Sequence, residues 1–225
     1  MTRSTSLSRS QALALAVGTA AGLACGAASA QTQFVGFTSG CFGPGCTPDS
    51  TYSPTATTFD SSGLTYANST FDVISAGGFA GLGASGMVNP AGNIDNLGSW
   101  VLTGAPFNYS LASDNSFTLR VSFTAPPGTT PDSALFTSSI HGNVISTDNG
   151  GVSIDFDNTP RVFTFASGTF TLAVDDVSLT PHSDPVTPVA STGHILVSAV
   201  PEPETYALFL AGLGAVGFMA RRRKR

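Results

Sequence analysis

Strict alternation of apolar and polar residues runs through the middle of this chain. From Ser116 to Thr124, Phe117, Leu119, Val121 and Phe123 fall on one face and Thr118, Arg120 and Ser122 on the other. That period of two predicts a half-buried strand. Gly151 to Asp157 repeats the pattern, with Val152, Ile154 and Phe156 inward and Ser153, Asp155 and Asp157 outward. Asp148-Asn149-Gly150-Gly151 in front of it predicts a hairpin turn, because Asn and Gly tolerate the positive φ of tight turns. Further strands are predicted at 57–60, 71–74, 99–102, 107–111, 134–140, 143–146, 162–166 and 170–179. In the last of these the inward set Phe170, Leu172, Val174 slips by one at Asp175-Asp176 to Val177 and Leu179, the signature of a β-bulge. No helical period appears between the two ends. The expected fold class is all-β, an antiparallel β-sandwich or jelly roll, with an N-terminal signal helix and a C-terminal transmembrane helix.

The ends follow a different pattern. Residues 1–30 read as a secretory signal peptide: Arg3 and Arg9, an apolar run from Ala12 to Leu23, and the small residues Ala28-Ser29-Ala30 before Gln31. Cleavage is expected between Ala30 and Gln31, which makes the secretion translocon and signal peptidase partners. A lipoprotein signal ending at Cys25 is the rival reading, and Gly22 stands where it requires an aliphatic residue. At the other end, Val200-Pro201-Glu202-Pro203-Glu204-Thr205 precedes the apolar run Tyr206 to Ala220 and the cluster Arg221-Arg222-Arg223-Lys224-Arg225. Fifteen residues make about 22 Å of helix against a hydrocarbon core of about 30 Å, so the expected span is short. The cations hold their end in the cytoplasm and the domain outside.

This tail resembles the PEP-CTERM sorting signal of Gram-negative bacteria over Val200 to Arg225, with the Pro-Glu-Pro triplet, short helix and Arg-rich end in order. The resemblance implies that Pro201, Glu202 and Pro203 are the recognition motif of an exosortase. That membrane transpeptidase would hold the chain transiently in the inner membrane, cut near the motif and pass the domain to the cell surface or extracellular matrix. A permanent anchor is the alternative.

Charge sharpens the division. Between residues 31 and 200 there are 12 Asp, no Glu and no Lys, with Arg120 and Arg161 the only cations, a net −10 against −5 for the whole chain. Two arginines cannot form a nucleic-acid-binding surface. The boundaries read as 1–30 signal peptide, 31–180 β-sandwich ectodomain, 181–199 Pro-rich linker, and 200–225 sorting signal. The linker rests on Pro181, Pro185 and Pro188, and Cys41 to Pro54 reads as a loop.

Candidate chemistry in the ectodomain is sparse. Asp155, Asp157, Asp175 and Asp176, with Asp148, Asn149 and Asn158 nearby, are the candidate Ca²⁺ ligands, since Ca²⁺ takes six to eight oxygens. Their spacing matches no EF-hand or Gly/Asp-rich repeat, and solvated strand-edge carboxylates are the competing reading. No other cofactor is expected. Cys41 and Cys46 predict a small disulfide in an oxidising compartment. Gly81-Leu82-Gly83-Ala84-Ser85-Gly86 matches a dinucleotide fingerprint only as a string, because Pro90, Gly92 and Asn93 follow in place of a helix. His141, His182 and His194 are far apart and no nucleophile elbow is present, so an enzyme is not expected. Asn68-Ser69-Thr70 and Asn108-Tyr109-Ser110 are formal N-glycosylation strings. The expected function is a structural or adhesive role in the envelope or biofilm matrix. The alternative is a carbohydrate-binding module acting on exopolysaccharide, with Trp100, Tyr109, Tyr66 and Tyr52 as its available aromatic platform.

Overall fold

A computed structural model describes residues 31–59, 62–83, 93–112, 115–182, 188–199 and 203–223. The signal-peptide reading, with Ala30, lies outside the described residues, as do Pro201 and Glu202. The strands are β1 (Gln33–Phe42), β2 (Ala56–Phe59), β3 (Leu64–Ala67), β4 (Ser69–Ile74), β5 (Phe79–Leu82), β6 (Asn93–Ile94), β7 (Ser99–Leu102) and β8 (Phe107–Asn108). They continue as β9 (Ser116–Ala125), β10 (Ser133–Ser146), β11 (Asn149–Phe156), β12 (Arg161–Phe165), β13 (Gly168–Val174), β14 (Val177–Leu179), β15 (Val189–Ala190) and β16 (Gly193–Ala199), before the helix α1 (Pro203–Arg223).

Three sheets result. The largest runs β14-β11-β10-β9-β1-β4-β6, with β8 also paired to β10; the second runs β12-β13-β16-β5 and the third β15-β7-β3-β2. All ladders are antiparallel except the short β4–β6 pair. The β-rich, antiparallel expectation is met.

The alternation read from the sequence is what lets these sheets share a core. Phe117, Leu119 and Val121 of β9 are buried, as are Val152, Ile154 and Phe156 of β11. From the large sheet, Phe34 and Phe123 meet Phe170 of the second sheet at 4.8 and 4.9 Å between ring centroids. Phe117 meets Tyr66 and Trp100 of the third sheet at 4.8 and 4.7 Å. Each fully buried aromatic removes enough apolar surface from water to contribute about 1.5–3 kcal/mol. Edge-to-face ring contacts add a further ~0.5–1.5 kcal/mol per pair. Gly98, at φ +111°, leaves the space that Tyr66 fills: a Cβ there would stand 2.2 Å from the tyrosine hydroxyl and 2.3–2.4 Å from its ring atoms.

Several expectations are corrected. The predicted strands 134–140 and 143–146 are one continuous strand, β10, which passes through Gly142. Phe107 to Leu111 is two residues of strand followed by a 3₁₀ turn over Tyr109–Leu111, which buries Tyr109 and lets its hydroxyl donate to Ser62 O at 2.9 Å. Cys41 and Phe42, expected in a loop, end β1. Asp175-Asp176 is not a bulge within one strand. Here the chain leaves β13 in the second sheet and joins β14 in the large one. Val174 and Val177 are both buried, each from its own sheet, so the slip in parity records a change of sheet.

The 181–199 linker is corrected as well, outside the undescribed residues 183–187. β15 pairs with β7, and β16 is sandwiched between β13 and β5 with Ile195 fully buried. Prolines mark the entry to this segment, but from Gly193 onward the residues alternate as a strand does.

The hairpin predicted at 148–151 forms two residues earlier. Ser146 pairs with Asn149 and the turn lies on Thr147-Asp148. Asp148 takes φ +62°, which Asp tolerates better than most side chains.

Candidate functional site

The C-terminal tail begins where the sheet ends. β16 runs to Ala199 and α1 starts at Pro203. Proline suits a first helical position, where its missing N–H leaves no hydrogen bond unmade. The last turn carries Arg221 and Arg222, cations at the negative end of the helix dipole. Between them Phe209, Leu210, Leu213, Val216, Phe218 and Met219 are all exposed, and a Cβ on Gly212, Gly214 or Gly217 would meet no other atom within 4 Å. The helix therefore shows apolar side chains that no other element among the described residues covers.

The expectation of a transmembrane helix is nevertheless corrected: no helix among the described residues is long and apolar enough to cross a membrane. The 21 residues of α1 reach that length only by including Pro203, Glu204 and Thr205 at one end and three arginines at the other, while its uninterrupted apolar run is the fifteen residues already counted.

The candidate metal ligands are not brought together. Among the described residues no group of three or more His, Cys, Asp or Glu side chains could hold a metal ion. Asp155 lies exposed on the outer face of β11. Asp157 pairs with Arg161 at 2.6 Å and accepts from the Thr159 amide at 3.1 Å. The Thr159 side chain first, then the Arg161 guanidinium and the Thr159 amide, hold its carboxyl down at about 2. Asp176 accepts from the Phe156 amide at 2.8 Å, closing the β11 end where the chain changes sheet. Asp175 accepts from the Thr192 hydroxyl at 2.8 Å and faces His194 Nδ1 at 3.8 Å. Asp148 stands 3.6 Å from His182 Nδ1. Each side chain of the set except Asp155 has a local partner of its own, and this is why spacing along the chain was a poor guide to coordination.

Cys41 and Cys46 are joined as a disulfide, with Cα atoms 6.1 Å apart. Gly43 and Gly45, both at positive φ, turn the chain between them. The loop that follows is tied down: Arg120 Nε donates to Pro48 O, Ser39 Oγ to Asp49 O, and Asn68 Nδ2 to Ser53 O at 2.9 Å. Asn68 is buried in this clamp, which removes it as a glycosylation acceptor, whereas Asn108 is exposed.

Trp100, Tyr66 and Tyr109 are fully buried and so cannot form an aromatic platform; Tyr52 is left, partly exposed and edge-on to Phe37. The burial of Tyr66 and Tyr109 pushes both hydroxyls up from their ordinary acidity, partly opposed by hydrogen bonding to Thr38 and Ser62. An apolar surface lies elsewhere, on the outer face of the second sheet. The ladders align Val162, Thr171, Leu196 and Phe79 in one row across β12, β13, β16 and β5. Val162, Leu196 and Phe79 are each at least half exposed. Beside the row, Phe79, Leu196, His194, Asp175 and Thr192 line an open groove of about 510 Å³. Phe79 and His194 lie nearly parallel, at 19° and 6.2 Å between centroids. Sequence reading missed this groove because its β16 wall fell inside the segment taken for a linker. The signal was present in His194, Leu196 and Ser198 alternating with Ile195 and Val197.

Comparison with known proteins adds one match. Residues 199–224 fit the family model of the PEP-CTERM protein-sorting motif. No match is found among curated proteins or solved structures.

Proposed function

We propose, from a chain that carries a PEP-CTERM protein-sorting motif at residues 199–224, that this is an exported protein which an exosortase delivers to the surface or extracellular matrix of a Gram-negative bacterium. The observation that carries the proposal is the motif match itself. It is supported by the order of the parts: a folded β-domain, the Pro-Glu-Pro triplet, a helix with uncovered apolar side chains, and an arginine-rich end. In this reading the secretion translocon and signal peptidase handle residues 1–30, and the exposed apolar side chains of α1 keep the tail at the inner membrane until processing, without a full helical span. We read the facing sheets of the ectodomain as a β-sandwich, on the strength of the rings that meet between them.

The role of the ectodomain is structural or adhesive, and non-catalytic. Its disulfide, clamped loop and close-packed aromatic core suit a domain that must last outside the cell. The three histidines sit on separate elements, which supports a non-enzymatic role. A second reading, a carbohydrate-binding module for exopolysaccharide, is favoured by the groove beside Phe79. A Ca²⁺-dependent form of it would need ligands other than the four carboxylates Asp155, Asp157, Asp175 and Asp176.

Replacing Pro201, Glu202 and Pro203 by alanine tests the sorting proposal in cells. Fractionation should find the unprocessed chain retained in the inner membrane. Surface delivery at the wild-type level would overturn exosortase sorting.

A further inference from the structure

We propose that the groove between β5 and β16 binds a neutral, pyranose-containing glycan, stacked on Phe79 and hydrogen-bonded to Asp175. The inference rests on the carbohydrate-binding reading of the ectodomain and gives it a site.

At about 510 Å³ the groove has the volume of a small-molecule site. Its lining is divided. On one side Phe79 and Leu196, each half exposed, form an apolar shelf, and the Phe79 ring stacks against the His194 imidazole at 19° and 6.2 Å between centroids. Gly81, opposite His194 in the ladder, has no side chain to cover that shelf. On the other side stands Asp175, about half exposed and held in place: its Oδ2 takes the Thr192 hydroxyl at 2.8 Å and its Oδ1 faces His194 Nδ1 at 3.8 Å. A carboxylate has about four lone-pair sites, so these contacts leave acceptors turned to the groove.

An aromatic shelf beside a fixed hydrogen-bond acceptor suits a molecule with a flat apolar face and a rim of hydroxyl donors. A pyranose ring has both. The charge selects among sugars, because a carboxylate in the groove of a strongly acidic domain repels uronates and phosphorylated or sulfated units. The apolar row continues from Phe79 through Leu196 and Thr171 to Val162. Four strands at about 4.8 Å spacing extend it to roughly 14 Å, so several linked sugars fit better than one.

The test is calorimetric titration of the purified full chain, in a detergent without a sugar headgroup. The probes are a partial hydrolysate of the producing cell's own exopolysaccharide and neutral oligosaccharides of glucose, galactose and mannose. Saturable binding is expected for the wild type. It should weaken roughly tenfold or more in Phe79→Ala and in Asp175→Ala and stay unchanged in Ile74→Ser, an exposed apolar residue on the large sheet. Phe79 and Asp175 are half exposed, so unfolding curves should match the wild type. Undiminished binding by both variants overturns the groove and leaves the carbohydrate-binding reading standing. Absence of binding by the wild type overturns both. Loss of self-association in Phe79→Ala, with sugar binding unaffected, makes the groove a contact between copies of the chain and overturns the proposal.

Discussion

The indole Nε1 of Trp100 donates a 2.8 Å hydrogen bond to Oγ of Ser191, which lies 91 residues further along the chain, and both residues are fully buried. Around it the Ser191 amide donates to Gly98 O and the Leu97 amide to Ser191 O. The segment that enters β16 is thus anchored at the centre of the third sheet. Ser191→Ala should leave the indole N–H without a partner in a dry site and lower stability by about 1–3 kcal/mol. Urea unfolding monitored by Trp100 fluorescence reads this directly, since Trp100 is the only tryptophan.

Gly98→Ala should cost more. The new methyl meets the Tyr66 hydroxyl and ring at 2.2–2.4 Å on a backbone at φ +111°, which combines overpacking of about 1–3 kcal/mol with backbone strain of about the same size. The expected outcome is a lower midpoint of thermal unfolding and a greatly reduced soluble yield. A wild-type melting curve for the alanine variant would contradict the packing described for Tyr66.

Alkaline pH should weaken the fold through the same tyrosine. Burial raises the Tyr66 hydroxyl above its ordinary value of 10.0, while in the unfolded chain it ionises near that value. A group with its folded pKa raised contributes fully below the unfolded pKa, and the contribution falls as pH rises past it. Stability should therefore decline above about pH 10, with Tyr109 adding to the slope. Tyr66→Phe removes its share of that decline, and leaves Leu97 O without the 2.6 Å donor it now has. Denaturation midpoints measured from pH 8 upward for both proteins would show a shallower slope in the variant.

Reducing the Cys41–Cys46 disulfide opens only a short loop, since the cysteines are five positions apart. Chain-entropy arguments give such a crosslink only about 2 kcal/mol. Reduced protein should stay folded, with a modestly lower midpoint and faster proteolysis between Gly43 and Pro54. Global unfolding on reduction alone would mean that the aromatic core contributes far less than its burial indicates.

Strands with apolar residues at every second position could be read from the sequence, even where the polar face is covered as well, as at Thr118 and Ser122 of β9. β7 falls on its predicted residues, and β9 and β11 fall within one or two of theirs, because Phe117 to Phe123 and Val152 to Phe156 carry the alternation in their own side chains. Legibility failed where geometry was set by distant partners. Asp175-Asp176 looked like a bulge because a change of sheet and a change of register leave the same mark in a one-dimensional pattern. β1 went unread, although it lies inside the large sheet between β9 and β4, because Gly36 and Gly40 interrupt its apolar face where Phe71 and Phe117 press in. The groove was invisible for a related reason: Phe79 and His194 meet only through the β5–β16 ladder. The sorting tail, in contrast, is linear in chemistry and was legible throughout, apart from the membrane span that its short apolar run cannot supply.

β16 keeps its ladder to β13 as far as Ala199, and α1 begins at Pro203. Four residue steps, extended, reach about 14 Å at most. Under the processing proposed above, the domain is mounted flush. An enzyme that cuts beside Pro201 must work against the rim of a finished sheet or act before β16 has docked. Whatever is joined to the new C-terminus then inherits the rigidity of the sheet, with almost no loose chain to uncouple a pull on the matrix from the core that bears it.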